Sequence, residues 1–455
     1  MYDLMVLGGG PAGYCAAERA GEAGLRVVLF EKRSLGGVCL NEGCIPSKAL
    51  LNSAKIYESA LHGAAYGVTV TGAALDHAAV IARKKKVVRT LVAGVKAKMK
   101  HAGVTVVEGE ARLTGRTDEG FAAQCAGETY AARRLLIAAG SEPATPPIPG
   151  LREALASGFA LTNREALDLP AAPAHLAIIG GGVIGLEMAS YYHAAGSRVT
   201  IVEMLDHIAG NTDAEIGRRL QNQLEAAGIV FHLSARVTAV DEGALVFEKD
   251  GQALRLPCDN VLVSIGRRPV TRGYGLETLS VALERGAIVT DERMRTSVAG
   301  VWAAGDVNGR SMLAHTAYRE AEVAVSDMLG RRDTMRYGAI PAVIYTKPEV
   351  ACVGVTPSEA ASGESDAEIV DLPFQYSGRY VAEVERGDGL ARVLFERKTG
   401  QLIGVHLYGS YASEIIWGAA ALIEGEYRAA DIREIVFPHP TVSEILREAA
   451  WASKL

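Results

Sequence analysis

The sequence predicts an α/β protein in which one strand–turn–helix–strand unit occurs twice, completed by a C-terminal α+β segment. Three observations predict it. Two glycine-punctuated segments match each other at a fixed offset. The chain has 455 residues, too many for one ordinary core. From Tyr337 onward the glycine units give way to alternating strands such as Leu390 to Phe395 and Leu402 to Leu407.

The first unit opens with Leu4-Met5-Val6-Leu7, turns through Gly8, Gly10 and Gly13, and closes with Val27-Val28-Leu29-Phe30-Glu31. The second opens with Leu176-Ala177-Ile178-Ile179, turns through Gly180, Gly182 and Gly185, and closes with Val199-Thr200-Ile201-Val202-Glu203. Each four-residue apolar run suits a strand buried on both faces. The Ala-rich stretches between are expected to be helices ending near Gly24 and Gly196, where glycine accepts a left-handed backbone. The first glycine makes the turn, the second lets a pyrophosphate approach the backbone, and the third lets helix and strand pack closely. The pyrophosphate then meets the open N–H groups and positive end of the helix. Glu31 and Glu203 stand at the spacing of the acid that accepts from a ribose diol. A lone glycine motif carries little weight. Here the strand, helix and acid accompany both copies, which makes each a Rossmann-like dinucleotide-binding unit. A carboxylate at 203 repels a 2′-phosphate, and Met204-Leu205-Asp206-His207 offers no arginine to hold one, so the second unit is expected to prefer NAD over NADP.

Between the units lies Cys39-Leu40-Asn41-Glu42-Gly43-Cys44-Ile45-Pro46-Ser47-Lys48. Pro46 suits the first turn of a helix, and Leu50, Ala54, Tyr57 and Leu61 continue at helical spacing, so Cys44 is expected near a helix N-terminus, where a thiolate is favoured. A straight helix would separate the cysteines by about 7.5 Å along its axis. That exceeds the ~4.4–6.8 Å a disulfide spans between Cα atoms. The backbone must therefore bend, and Gly43 allows it. A redox pair, a metal pair and two unrelated thiols are the possible readings. Zinc spacings are shorter and bring further ligands, and none stands nearby. Cys15, Cys125, Cys258 and Cys352 are scattered, as small buried residues are.

The decapeptide from Cys39 to Lys48 resembles the active-site signature of the pyridine nucleotide–disulfide oxidoreductases. Its Ile-Pro-Ser-Lys ending is most similar to the dihydrolipoamide dehydrogenase branch. The resemblance spans nearly the whole chain and rests on five separated motifs. It implies FAD in the first unit, NAD in the second and a redox-active cysteine pair. In that pattern Cys39 exchanges with substrate and Cys44 faces the flavin as a charge-transfer thiolate. Lys48 lies near the flavin and pairs with Glu187. Alone, both are also ordinary helix residues. Leu136-Ile137-Ala138-Ala139-Gly140-Ser141 resembles the strand returning near FAD, with Ala139 where threonine is common. Gly300 to Asp306 resembles the second FAD motif, with Asp306 on the ribityl chain, and Ala314 of Met312-Leu313-Ala314-His315 stands near the flavin ring. Gly266 is assigned to NAD.

Pro438-His439-Pro440-Thr441-Val442-Ser443-Glu444 has two readings. Alone, Thr441 and Glu444 form a capping box for a helix from Ile445 to Trp451, and His439 is a loop histidine. The resemblance makes His439 the base that reaches the cysteines of a partner subunit and Glu444 the group that orients it. It therefore implies a homodimer with shared active sites. It also implies a separate lipoyl-bearing carrier protein, of a 2-oxoacid dehydrogenase or glycine cleavage system.

The implied domains are residues 1–142 for FAD, 143–267 for NAD, 268–335 completing the FAD domain, and 336–455 as an α+β interface domain. A net charge of −6 gives no basic field for nucleic acid or anionic lipid. Arg83-Lys84-Lys85-Lys86 is expected to be a solvated helix face. No apolar stretch reaches a membrane span. Met1-Tyr2-Asp3 runs into the first strand and leaves no room for a leader peptide, and the cysteine usage suits a reducing compartment. The expected location is the cytoplasm, although Ser453-Lys454-Leu455 matches a peroxisomal address. Rival activities are a glutathione or mercuric reductase and a non-enzymatic flavin scaffold. No terminal cysteine pair follows Cys352, as a mercuric reductase would carry, and Glu203 gives a glutathione enzyme's NADP no support.

Overall fold

The repeat appears in the computed structural model as two parallel sheets with matching turns. The structure describes residues 1–363, 365–384 and 387–455. By internal contacts it forms two units. The first joins Met1–Ala49, Ile81–Thr145 and Gly266–Arg336, and the second joins Leu50–Val80, Pro146–Ile265 and Tyr337–Leu455.

In the first unit, strand Tyr2–Leu7 is central and pairs in parallel with Val27–Glu31 and with Glu128–Ile137. Thr105–Glu108 extends one side, and Val301–Ala303 adds in parallel to Glu128–Ile137. The antiparallel strands Arg112–Thr117 and Gly120–Cys125 complete a seven-stranded sheet. Met5, Val28, Phe121, Leu135 and Ile137 form its core. Such buried strands read as continuous apolar runs.

The second unit repeats the plan. His175–Ile179 pairs in parallel with Arg198–Val202 and Asn260–Val263 within a five-stranded sheet. The turns are near copies: the Gly8 N–H donates to the Phe30 carbonyl at 2.9 Å, and the Gly180 N–H to the Val202 carbonyl at 2.9 Å. The helices run from Pro11 to Glu22 and from Val183 to Ala194. Gly24 and Gly196 follow them with φ of 86° and 96°, as expected of left-handed ends.

The third glycine of each motif is required by contact. A Cβ at Gly13 would lie 1.7 Å from the Gly8 carbonyl oxygen, and one at Gly185 would lie 2.3 Å from that of Gly180. Gly185→Ala is therefore expected to cost about 1–3 kcal/mol, the range for overpacking. A lowered thermal midpoint would check it; an unchanged midpoint would contradict it.

The second unit also holds a five-stranded antiparallel sheet in which Val350–Gly354 pairs with Leu402–Tyr408, and that strand with Leu390–Glu396. Neither central strand alternates as expected. Leu402–Tyr408 is buried at every position but one, because helices pack on it: Ala412–Glu424, and Ala214–Ala227 through Tyr408. The apolar stretch 415–423 divides, with Ile415 and Ile416 in the core and Trp417 exposed. Arg392 carries charge into this packing, bonding Asp371 at 2.6 Å and buried Asp213 at 2.9 Å.

The basic run needs one correction. It lies on the helix His77–His101, and Arg83, Lys85 and Lys86 are exposed, but Lys84 is 2% exposed. Four successive helical residues sweep most of the circumference, so one of them faces inward, three positions after buried Ile81. Among the described residues, no helix is long and apolar enough to cross a membrane.

Candidate active site

The cysteine segment folds as two helices broken at one glycine. Gly37–Glu42 carries Cys39, and Cys44 begins the helix Cys44–Leu61. Gly43 between them leaves helical geometry, with φ −149° and ψ −110°. The expected bend is thus present, and Ser47 seals it by donating its hydroxyl to the Gly43 carbonyl at 2.8 Å. The bend brings the two thiols into hydrogen-bonding contact. That contact, with burial, raises the Cys39 pKa above the ordinary thiol range, while the Lys48 ammonium opposes the shift. Cys44, as the first residue of its helix, receives the positive dipole end. Cys15, Cys125 and Cys258 are buried and Cys352 is partly buried, and among the described residues none of them is in a disulfide.

The first unit also contains Gly8, Gly10, Gly13, Glu31, Lys48, Gly140, Asp306 and Ala314. Glu31 is already oriented, accepting the Gly9 N–H at 2.8 Å on one oxygen and the Arg33 N–H at 2.8 Å on the other. Gly10 caps its helix with no side-chain hydrogen bond. Asp306 accepts the Ser141 hydroxyl, and Arg267 fastens Ser141 through Nε at 2.7 Å and through the carbonyl at 2.8 Å. Ala314 opens the helix Ala314–Met328, which turns its N–H outward as an end donor. These donors and carboxylates fit a flavin dinucleotide: an uncapped helix start for the pyrophosphate, Glu31 for a ribose, and Asp306 with Ala314 for the far end.

In the second unit Glu203 repeats the role of Glu31. It accepts the Gly181 N–H at 2.6 Å and the Leu205 N–H at 2.8 Å. Gly182 caps its helix without a side-chain bond, and a Cβ there would meet nothing within 4 Å. That open, N–H-lined approach fits the pyrophosphate of a second dinucleotide. Glu187 is buried and accepts the Tyr345 N–H at 3.1 Å. Lys48 belongs to the first unit and Glu187 to the second. Gly266 opens the last segment of the first unit, exposed, its carbonyl accepting the Ala144 N–H at 3.0 Å.

His439 and Glu444 meet as expected, Nδ1 to Oε1 at 3.0 Å. The Thr441 N–H donates to Glu444 at 2.8 Å and is the main cause that lowers the carboxyl pKa, with the His439 bond adding to it. A carboxylate only accepts, so Nδ1 carries the hydrogen and Nε2 keeps a basic lone pair. The capping box is only half formed. Glu444 reaches back to Thr441, but the Thr441 hydroxyl donates to the Pro438 carbonyl, and Ser443 is the N-cap of the helix Glu444–Ala452. The glutamate thus serves the histidine and the turn together. The His439 side chain is 78% exposed and nearby Val436 is 93% exposed.

Two features escaped the sequence reading. Half-buried Arg267 is held below its ordinary pKa by desolvation, while the charges of Asp306, Glu42 and Cys44 pull it back up. Tyr14 and Tyr318 share a short hydroxyl–hydroxyl bond, and the charges of Cys39 and Cys44 act on Tyr318. The Gly266-Arg267 dipeptide hinted at the first. Nothing in sequence pairs tyrosines 304 positions apart.

The family described as pyridine nucleotide-disulphide oxidoreductase matches residues 2–321, and its dimerisation domain matches residues 340–450. The chain is 39% identical to dihydrolipoyl dehydrogenase 3 of Pseudomonas aeruginosa, over 99% of this chain and 97% of that one. It is 36% identical to a dihydrolipoyl dehydrogenase of Cupriavidus necator, over 99% and 98%. Among solved structures, LpdA from Mycobacterium tuberculosis superposes with a TM-score of 0.89 at 28% identity, covering 99% of each chain. The HOCl-induced flavoprotein disulfide reductase RclA from Escherichia coli gives 0.87 at 26% identity, covering 100% of each.

Proposed function

The chain belongs to the pyridine nucleotide-disulphide oxidoreductase family, and from that premise we propose that it is a dihydrolipoamide dehydrogenase, oxidising a protein-bound dihydrolipoyl group and reducing NAD. The carrying observation is the hydrogen-bonded Cys39–Cys44 pair at the start of a helix. Full-length likeness to dihydrolipoyl dehydrogenases supports the choice of substrate.

When bound, FAD supplies the two-electron link between the dithiol and NAD. The chain's own residues do the rest. His439 of the partner subunit, oriented through Nδ1 by Glu444, takes a thiol proton at Nε2. The substrate thiolate attacks the Cys39 sulfur and breaks the Cys39–Cys44 bond, leaving Cys44 as thiolate. The second substrate thiol passes its proton to Cys39 as its sulfur displaces it, Cys39 leaves as a thiol, lipoamide departs, and His439 releases the first proton to solvent. Lys48 stabilises negative charge beside the pair, and its pairing with Glu187 belongs to this proposal. The family's dimerisation domain supports a homodimer. Exposed Tyr376, Val381, Trp417 and Val436 supply apolar surface of the kind that subunits cover. The domain limits at 142, 267 and 335, the separate lipoyl carrier and the cytoplasmic setting are part of the same reading.

The direct test is NADH formation from dihydrolipoamide by the purified flavoprotein, with NADP, glutathione and mercuric ion as comparators. Turnover with glutathione or mercuric ion but not lipoamide would move the chain to a rival activity. The nicotinamide preference has its own test. Glu203→Ala with Met204→Arg removes charge-assisted hydrogen bonds of ~1.5–3 kcal/mol and adds a cation. NAD affinity is expected to fall tenfold or more, on the scale of ~1.4 kcal/mol per decade. NADP use should rise, and an unchanged preference would contradict the role of Glu203.

A further inference from the structure

Glu42 stands between the two cysteines, and its carboxylate is mostly buried at 17% exposure. A carboxylate withdrawn from water needs a partner. Arg33 supplies one, with Nη2 2.7 Å from Oε1 and Nη1 3.5 Å from Oε2. The half-buried Arg267 guanidinium lies within electrostatic reach of both Glu42 and the Cys44 sulfur. The carboxylate thus shares its electrostatic surroundings with the sulfur that becomes negative on reduction. Lys48 adds positive charge near the pair, and Asp306 and Glu142 add negative charge around Arg267.

We propose that Glu42 is a positioning residue that holds down the reduction potential of the Cys39–Cys44 couple, with Arg33 offsetting part of its effect. The inference rests on the reading of these cysteines as the redox pair. On reduction the S–S bond breaks, two electrons and one proton enter, Cys39 becomes a thiol and Cys44 a thiolate. The pocket gains one negative charge beside an existing one. Glu42 lies one helical turn from Cys39 and two residues before Cys44, and like charges in a medium of reduced dielectric repel. The repulsion weighs on the reduced state alone, so the couple gives up its electrons more readily. Arg33 attracts the same new charge and works in the opposite sense.

Glu42→Gln and Arg33→Gln break the same ion pair, yet they should move the couple in opposite directions. The holoenzyme is equilibrated anaerobically in dithiothreitol redox buffers, where each reduction converts one dithiothreitol to its cyclic disulfide. Acid quenching and thiol alkylation then count reduced Cys39 and Cys44 by mass. At a fixed buffer ratio, reduced-to-oxidised enzyme should rise about tenfold in Glu42→Gln, equivalent to ~30 mV for a two-electron couple. In Arg33→Gln it should fall, by about threefold, because that guanidinium is more exposed and better screened. Loss of loop rigidity would shift both variants the same way, so shifts of one sign, or none, would overturn the proposal. If the wild-type cysteines do not interconvert at all, the redox reading fails first and this inference with it.

Discussion

A Cys44→Ser enzyme is expected to retain its dinucleotide sites and to form no NADH from dihydrolipoamide. Serine preserves the helix start and offers Cys39 a hydrogen-bond partner, but oxygen cannot close the sulfur–sulfur bond that the substrate must attack. The loss should be on the order of 10⁴ or more, the scale of removing a nucleophile that works as a unit with its base. Absorbance of NADH under saturating substrate checks it. Flavin content and NAD binding, measured on the same sample, separate a chemical defect from a folding defect. Turnover within a few-fold of wild type would remove the thiol relay from the mechanism.

His439→Gln carries the second large effect. A positioned base contributes ~10²–10⁴ in rate, and kcat should fall by that range. The sign of the pH dependence makes the result specific. In the wild type the imidazole takes the thiol proton directly, so catalysis does not wait on the substrate thiol's own ionisation. The variant must wait for the substrate thiol to ionise unaided, so its residual rate should climb with pH toward the range of about 8.5 where thiols ionise. Glu444→Gln should cost less, because an amide can still accept from Nδ1 while losing the charge that favours the imidazolium. The Glu444 carboxyl lies below its ordinary pKa, so its contribution is present at neutral pH and is lost only as acid protonates the group. A His439→Gln variant with an unchanged pH profile would take the base role away from this residue.

Much of the site could be read in one dimension because its chemistry is local. The glycines of each turn, the acid that closes it and the bend at Gly43 are set by spacing within a few tens of residues. Backbone geometry allows few other ways to connect such segments. The pairing of His439 with Glu444 came from the family resemblance, because the five-position spacing alone reads equally well as a capping box beside a loop histidine. The alternation expected for Leu390 to Phe395 and Leu402 to Leu407 failed because a strand's pattern follows what covers its two faces, and the covering helices lie elsewhere in the chain.

What the sequence by itself determined is the doubled glycine-turn unit, the acid that closes each copy and the cysteine pair flanking a helix start. Each depends on residue type at short separation. Only the tertiary structure decided that Arg267 anchors Ser141 beneath Asp306, that Tyr14 meets Tyr318, that Lys84 turns inward and that Arg33 clamps Glu42 within the redox loop. Charge–charge and hydrogen-bond energies fall off over a few ångströms. Partners far apart in the chain are therefore selected by packing, which no spacing rule encodes.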